Sequence, residues 1–348
     1  MQPSGNSQLI DRIRTVIGKS ASGSLPFAEF MRLALYDPDF GYYAAGSEQR
    51  VGRAGDFYTS VSVGKCFGNL LAAHFLARQP DLKQVVEQGA NDGQLAADLL
   101  AHLPANVDYL IVEPFESMRE IQREKLGERA RWVERIEDIP GGITGRFICN
   151  ELLDALPVQR VHHDAEGWKE IHIDAEFNEV HAPITSIELQ KEIAAVLADR
   201  DLPDDYTTEL HLSANQWAQQ LHASMLPGSA ATIIDYGHQA GDYYSPERSD
   251  GTLRGYRDHQ QVTRYLEHIG ETDLTASVNF SRIAEILGAG KTIDQHHFLI
   301  EAAKPWLKEI ESTGQAPDAA TQKLLRQFNT LIHPGMLGQS FKVLEFER

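Results

Sequence analysis

Apolar residues recur at helical spacing over residues 7–18, where Leu9, Ile10, Ile13, Val16 and Ile17 share a stripe, and again from Pro26 through Phe27, Phe30, Met31 and Leu35. The second of these helices is expected to stop before Pro38, because a proline disfavours the helical conformation in the residue ahead of it. A glycine-punctuated loop over 52–60, mixing polar and aromatic residues, leads to a helix predicted over 64–78. Beyond it the period changes. Short β-prone runs at 85–86, 110–112, 131–133 and 146–149 alternate with helical stretches, 95–103 the first, and that alternation predicts a parallel sheet with crossover helices. After the fourth strand, strand-like pieces over 158–184 are separated by turn residues at 164–167 and 174–177, which reads as a β-hairpin excursion. Helical spacing over 186–199 and 213–225 completes an insertion of residues 158–225, and 231–234 forms the fifth strand. The polar stretch 251–259, with Arg254, Tyr256, Arg257, Asp258 and His259, has no apolar period and reads as a loop. Helices are then expected over 259–269, 279–287, 295–310 and 318–332, and a final strand over 341–346 returns the chain to the sheet edge.

The length of 348 residues allows one large α/β domain with insertions, and the 42% hydrophobic and 24% charged content is ordinary for a globular protein. Charge narrows the partners. Fifty acidic residues against 32 basic ones give a net charge of −18, which disfavours unspecific attraction to nucleic-acid phosphate or anionic lipid and favours a basic protein segment. Two cysteines, Cys66 and Cys149, are too few for a disulfide framework and point to a reducing compartment. No metal site is expected, because the adjacent pairs His162-His163 and His296-His297 show no cysteine or carboxylate at ligand spacing. No apolar run approaches the roughly 20 residues that cross a bilayer. Residues 1–20 hold Arg12, Arg14 and Lys19 but no signal-peptide core, so secretion is not expected.

The chemistry gathers around the first strand. Val85 and Val86 lead to Glu87, then Gly89, Ala90, Asn91, Asp92 and Gly93, then a helix, the opening of a nucleotide-binding α/β fold. The spacing G-x-x-x-G differs from the G-x-G-x-x-G that cradles a pyrophosphate, so an NAD-linked oxidoreductase is disfavoured and an adenosine ligand without phosphates is favoured. Asn91 is among the residues that readily enter the left-handed region a sharp loop demands. About 20 residues past the loop, Glu113 closes the second strand, where a carboxylate can accept both ribose hydroxyls. A plain βαβ unit whose glycines only make a turn accounts for the same features. The fourth strand delivers Asn150, Glu151 and Asp154 to its carboxyl end, where open α/β sheets bind ligands. If 150–157 turns helically, Glu151 and Asp154 share a face, suited either to capping or to a bidentate clamp on a planar cation. Asp235 and His238 follow the fifth strand, and they or His259 are candidates to accept a proton, since an imidazole titrates near neutrality. Phe57 and Tyr58 offer ring faces to a cation, or simply pack.

Residues 27–43, 55–60 (GDFYTS), 67–75, 150–160 (NELLDALPVQR), 234–238 (IDYGH), 251–259 (GTLRGYRDH), 273–284 and 341–346, in this order, resemble the MidA family of S-adenosylmethionine-dependent methyltransferases. That family includes a mitochondrial protein arginine methyltransferase required for respiratory complex I assembly. The resemblance implies a class I, Rossmann-like α/β fold: a seven-stranded, mostly parallel sheet with helices on both faces, an insertion after strand four and an N-terminal helical cover. On this basis residues 1–80 are cover and cofactor lid, and 81–348 the methyltransferase core. It implies S-adenosyl-L-methionine as cofactor, with S-adenosyl-L-homocysteine as product. Glu87, Gly89 and Gly93 would hold its methionine part and ribose, Glu113 the ribose hydroxyls, and Gly55, Asp56, Phe57 and Thr59 its wall, with Asn150 beside them. Relatives usually carry E-x-G-x-G-x-G; this chain has Asn91 for the middle glycine and Gln88 where an apolar residue is usual. The implied activity is methylation of a protein arginine, with Glu151, Asp154, Asp235 and His238 as catalytic candidates and a respiratory-chain subunit among the implied substrates. A catalytically silent assembly factor and a small-molecule methyltransferase are the other readings. The expected location is cytoplasmic, or the mitochondrial matrix in a eukaryote.

Overall fold

A computed structural model describes residues 3–43, 59–257, 260–262, 264–288, 290 and 292–348. The chain separates into two compact units of three stretches each. One is Met1–Arg50, Leu153–Ala218 and His238–Ile283; the other is Val51–Leu152, Gln219–Gly237 and Ala284–Arg348. The N-terminal helices thus group with the insertion after the fourth strand.

The second unit is built on a sheet. Its strands are β1 (Gln84–Gln88), β2 (Asp108–Val112), β3 (Arg131–Val133), β4 (Arg146–Asn150), β5 (Ala230–His238), β6 (Ile293–Asp294) and β7 (Phe341–Glu347), and its main path runs β6-β7-β5-β4-β1-β2-β3. From β3 to β5 the strands are parallel, whereas β7 runs antiparallel to β5, and β6 to β7. The whole mixed sheet counts eight strands among the described residues, one more than the seven expected. A two-residue strand such as β6 carries no period for a pattern reading to find. The parallel strands read as unbroken apolar runs because both faces are covered: Val85, Val86, Ile111, Phe147 and Ile148 are all fully buried. Helices of this unit include α1 (Cys66–Arg78), α2 (Gln94–Leu100), α3 (Glu116–Leu126), α4 (Gln295–Ser312) and α5 (Ala319–Ile332). Phe67 and Phe75 of α1, Leu99 of α2, Phe298 of α4 and Phe328 of α5 share one core with Val85, Ile111 and Ile234 of the sheet.

The first unit carries the excursion as expected, in antiparallel strands Gln159–Asp164, Gly167–Asp174 and Glu179–Ala182. Two strands join that sheet unforeseen, Ser24–Pro26 and Tyr206–Leu210. Asn6 caps the first helix, Ser7–Lys19, its side chain accepting the Gln8 and Leu9 N–H groups. The polar stretch and the expected helix over 259–269 are a correction. Arg254–Arg257, Gln260–Val262 and Asp273–Thr275 form a three-stranded sheet, and the chain turns at His268 (φ 57°) and Gly270 (φ 77°). Gly255 permits this packing, since a Cβ there would lie 2.7 Å from Val262 Cγ2 and 2.9 Å from Thr272 Cγ2. Among the described residues no helix is long and apolar enough to cross a membrane.

Candidate active site

The loop between β1 and α2 takes left-handed backbone at Gly89 (φ 77°), Asn91 (φ 48°) and Gly93 (φ 78°), so asparagine at 91 enters the left-handed region as expected. A Cβ at Gly89 would meet Leu152 Cδ1 at 3.2 Å, which keeps that backbone bare. Gly93 N–H donates to the Ala90 carbonyl at 2.8 Å, and the Asp92 carboxylate accepts the Gln94 N–H at 3.0 Å and pairs with Lys125 at 2.6 Å. The loop is therefore braced from within before any ligand arrives.

Glu113 lies just past β2 and is buried, its Oε1 accepting the Phe115 N–H at 3.0 Å and its Oε2 accepting Gln122 Nε2 at 3.2 Å. Burial raises its pKa. Gln122, which sequence reasoning missed, ties the site together. From α3 its Nε2 also donates to the Asn91 carbonyl at 2.7 Å, while its Oε1 accepts Trp132 Nε1 at 2.8 Å. One buried amide thus sets the distance between the glycine loop and the acid. A polar residue at i, i+4 between Met118 and Leu126, on the buried stripe of a helix, was the signal available.

At the end of β4 the backbone turns sharply. Glu151 sits at φ 55°, and 150–157 is not helical, so the premise that Glu151 and Asp154 share a helix face is corrected. Glutamate, unlike the shorter Asn and Asp, has no local preference for left-handed backbone, and this one is held from three sides. Its N–H donates to the Ile234 carbonyl at 2.9 Å, Asn150 Nδ2 donates to its Oε1 at 2.7 Å, and the next N–H, of Leu152, donates to Asp235 Oδ2 at 3.1 Å. Asp235 is fully buried, and its Oδ1 accepts the Tyr236 N–H at 2.8 Å. Asp154 and His238 fall in the first unit; the Asp154 carbonyl accepts the Ala276 N–H at 2.9 Å, and the His238 ring lies 6.4 Å from that of Tyr243. Thr59 caps a short helix, Ser60–Val63, in a reciprocal capping box with Ser62. Gly55, Asp56, Phe57, Tyr58 and His259 lie outside the described residues.

Residues 66–299 match the family model Methyltransf_28, described as an S-adenosyl-L-methionine-dependent methyltransferase. The chain belongs to this family. Among relatives of this methyltransferase, the Xenopus tropicalis protein named protein arginine methyltransferase NDUFAF7, mitochondrial, is 29% identical, covering 92% of this chain and 82% of that protein. The Homo sapiens protein of the same name is 27% identical, over 92% and 79% respectively. A protein of Burkholderia thailandensis solved with S-adenosyl-homocysteine bound is 29% identical and superposes with a TM-score of 0.82, over 100% of this chain and 95% of that one. The methyltransferase's own residues fit the cofactor. Asn150 Oδ1 is buried and takes no hydrogen bond among the described residues, which leaves an acceptor for an amine at the end of β4. The Glu113 carboxylate retains lone pairs for a diol.

Glu87 of the methyltransferase supplies a separate test. It is buried on β1, accepts the Tyr109 hydroxyl, and burial pushes its pKa from about 4.5 up to about 7. A carboxyl raised on folding stabilises fully below its unfolded pKa, and that contribution is lost as pH rises through the folded value; over this window it amounts to about 3 kcal/mol. Glu87→Gln, which stays neutral, should therefore gain stability relative to the parent as pH rises from 5 to 8 in urea unfolding. A difference that does not change with pH overturns the assignment.

Proposed function

We propose that this methyltransferase transfers methyl groups to arginine side chains of a protein. The observation that carries the reading is Glu151, a carboxylate kept in strained left-handed backbone at the carboxyl end of β4 by Ile234, Asn150 and Asp235. Such strain persists where surrounding structure over-determines it, and here it aims an anion from the end of the sheet that carries the glycine loop. The relatives named protein arginine methyltransferases support the same substrate class.

When bound, S-adenosylmethionine supplies a methyl group on an electrophilic sulfonium. The chain's residues then have to orient the acceptor nitrogen and exclude water. Glu151 binds the guanidinium fork and draws its charge toward the bound nitrogens, leaving the far nitrogen as nucleophile. Asp235 holds the 151–152 turn, and the released proton passes to solvent. Residues 1–80 as cover and cofactor lid, a respiratory-chain subunit as acceptor, and a cytoplasmic or, in a eukaryote, mitochondrial-matrix location belong to the same proposal.

Tritiated S-adenosylmethionine, incubated with the full chain and an arginine-rich peptide or cell extract, should place label in methylarginine after acid hydrolysis. Label only in a small molecule, or S-adenosylhomocysteine binding with no transfer at all, would refute the arginine reading in favour of a small-molecule enzyme or a silent docking protein.

A further inference from the structure

The insertion gathers metal-ligand chemistry that methyl transfer does not use. His162 and Asp164 are two residues apart on strand Gln159–Asp164, so the strand period puts both on one face, and His181 reaches that face from Glu179–Ala182. One ligand atom from each of the three lies within 4.8 Å of the others. The His162 and His181 rings stack with centroids 4.3 Å apart, and His162 Nε2 is 3.6 Å from Asp205 Oδ1. The histidine pair at 162–163 therefore does have carboxylates within reach, contrary to the reading of the linear sequence.

We propose that His162, Asp164 and His181, completed by Asp205, bind a divalent transition-metal cation of the zinc class. Imidazole and carboxylate are the donors such a cation prefers. Two donors on one tetrahedral ion at about 2.1 Å lie roughly 3.4 Å apart, so separations within 4.8 Å close with up to about 1.4 Å of side-chain movement. The surroundings act as an outer shell. His162 Nδ1 lies 3.0 Å from Thr207 Oγ1, which fixes the ring and leaves Nε2 for the ion. Lys169 Nζ, 2.8 Å from Asp164 Oδ2 and 2.7 Å from Glu166 Oε2, orients the carboxylate ligand. Asp164, Asp205 and Glu166 against Lys169 leave two net negative charges around the imidazoles, which a divalent ion balances. Access comes through a groove of about 610 Å³ lined by Glu166, Lys169 and His181. The ion would clip the Glu179–Ala182 strand and the residue before Tyr206–Leu210 to the middle of the sheet.

The other candidate group, Asp294, His296 and His297, is a poorer cation site. It sits at the N-terminus of α4, where the helix dipole opposes positive charge. That group is the control. The full chain without a histidine tag, stripped with EDTA, is titrated with Zn²⁺ by calorimetry and with Co²⁺ by visible absorption. The expectation is about one equivalent bound, tetrahedral Co²⁺ bands, and a melting temperature raised by saturating Zn²⁺. His181 is exposed, so His181→Ala should keep the fold and S-adenosylhomocysteine binding while losing the bands and at least about tenfold in Zn²⁺ affinity. His297→Ala should bind as the parent does. Unchanged binding in His181→Ala, loss in His297→Ala, or no binding by the parent at millimolar Zn²⁺ overturns the site.

Discussion

Glu113→Gln is expected to weaken S-adenosylhomocysteine binding about 10- to 100-fold, with the fold intact. The substitution is nearly isosteric, and its amide oxygen can still accept the Phe115 N–H that Oε1 now takes at 3.0 Å, so the turn into α3 survives. What disappears is an anionic acceptor for two hydroxyls, and hydrogen bonds to a charged group contribute about 1.5–3 kcal/mol, which is the stated range of affinity. The amide NH₂ also faces the Gln122 Nε2 group, which now donates to Oε2 at 3.2 Å, so one donor loses its acceptor. Isothermal titration with S-adenosylhomocysteine measures the loss, and circular dichroism checks the fold. Parental affinity in this variant removes Glu113 from the cofactor site.

Glu151→Gln should lower kcat for arginine methylation by about two to three orders of magnitude, while S-adenosylhomocysteine affinity stays within about threefold of the parent. The amide oxygen replaces Oε1 as acceptor for Asn150 Nδ2, and the backbone bond to Ile234 is untouched, so the left-handed turn is retained. Only the charge that opposes the guanidinium is lost, and removing one aimed electrostatic group from an active site commonly has an effect of that size. Single-turnover transfer to a peptide separates this from weaker binding, because a lost ground-state contact raises KM and leaves kcat. A fully active variant sinks the assignment of Glu151 and, with it, the carrying observation for arginine as substrate.

The linear order of residues determined the parts of this protein whose cause is local. The strand, glycine loop and helix at 84–100 follow from apolar runs broken by glycines, and Asn91 entered the left-handed region because its short polar side chain tolerates it. The acid at the end of β2, the excursion after β4 and the closing strand β7 were legible for the same reason. Tertiary structure alone decided whatever depends on partners far apart in the chain. Gln122 reads as a polar interruption of a buried helix face until Asn91 and Trp132 come within hydrogen-bonding distance of it. The bend at Glu151 needs the Ile234 carbonyl and Asp235 carboxylate from a strand more than 80 residues on. The Arg254–Arg257 strand needs neighbours on both sides, and three- or four-residue strands carry too few positions to show a period. His181 meets His162 only because antiparallel pairing folds the hairpin back on itself. Backbone preference is written residue by residue, but the pairing of a buried polar group is a property of the packed molecule.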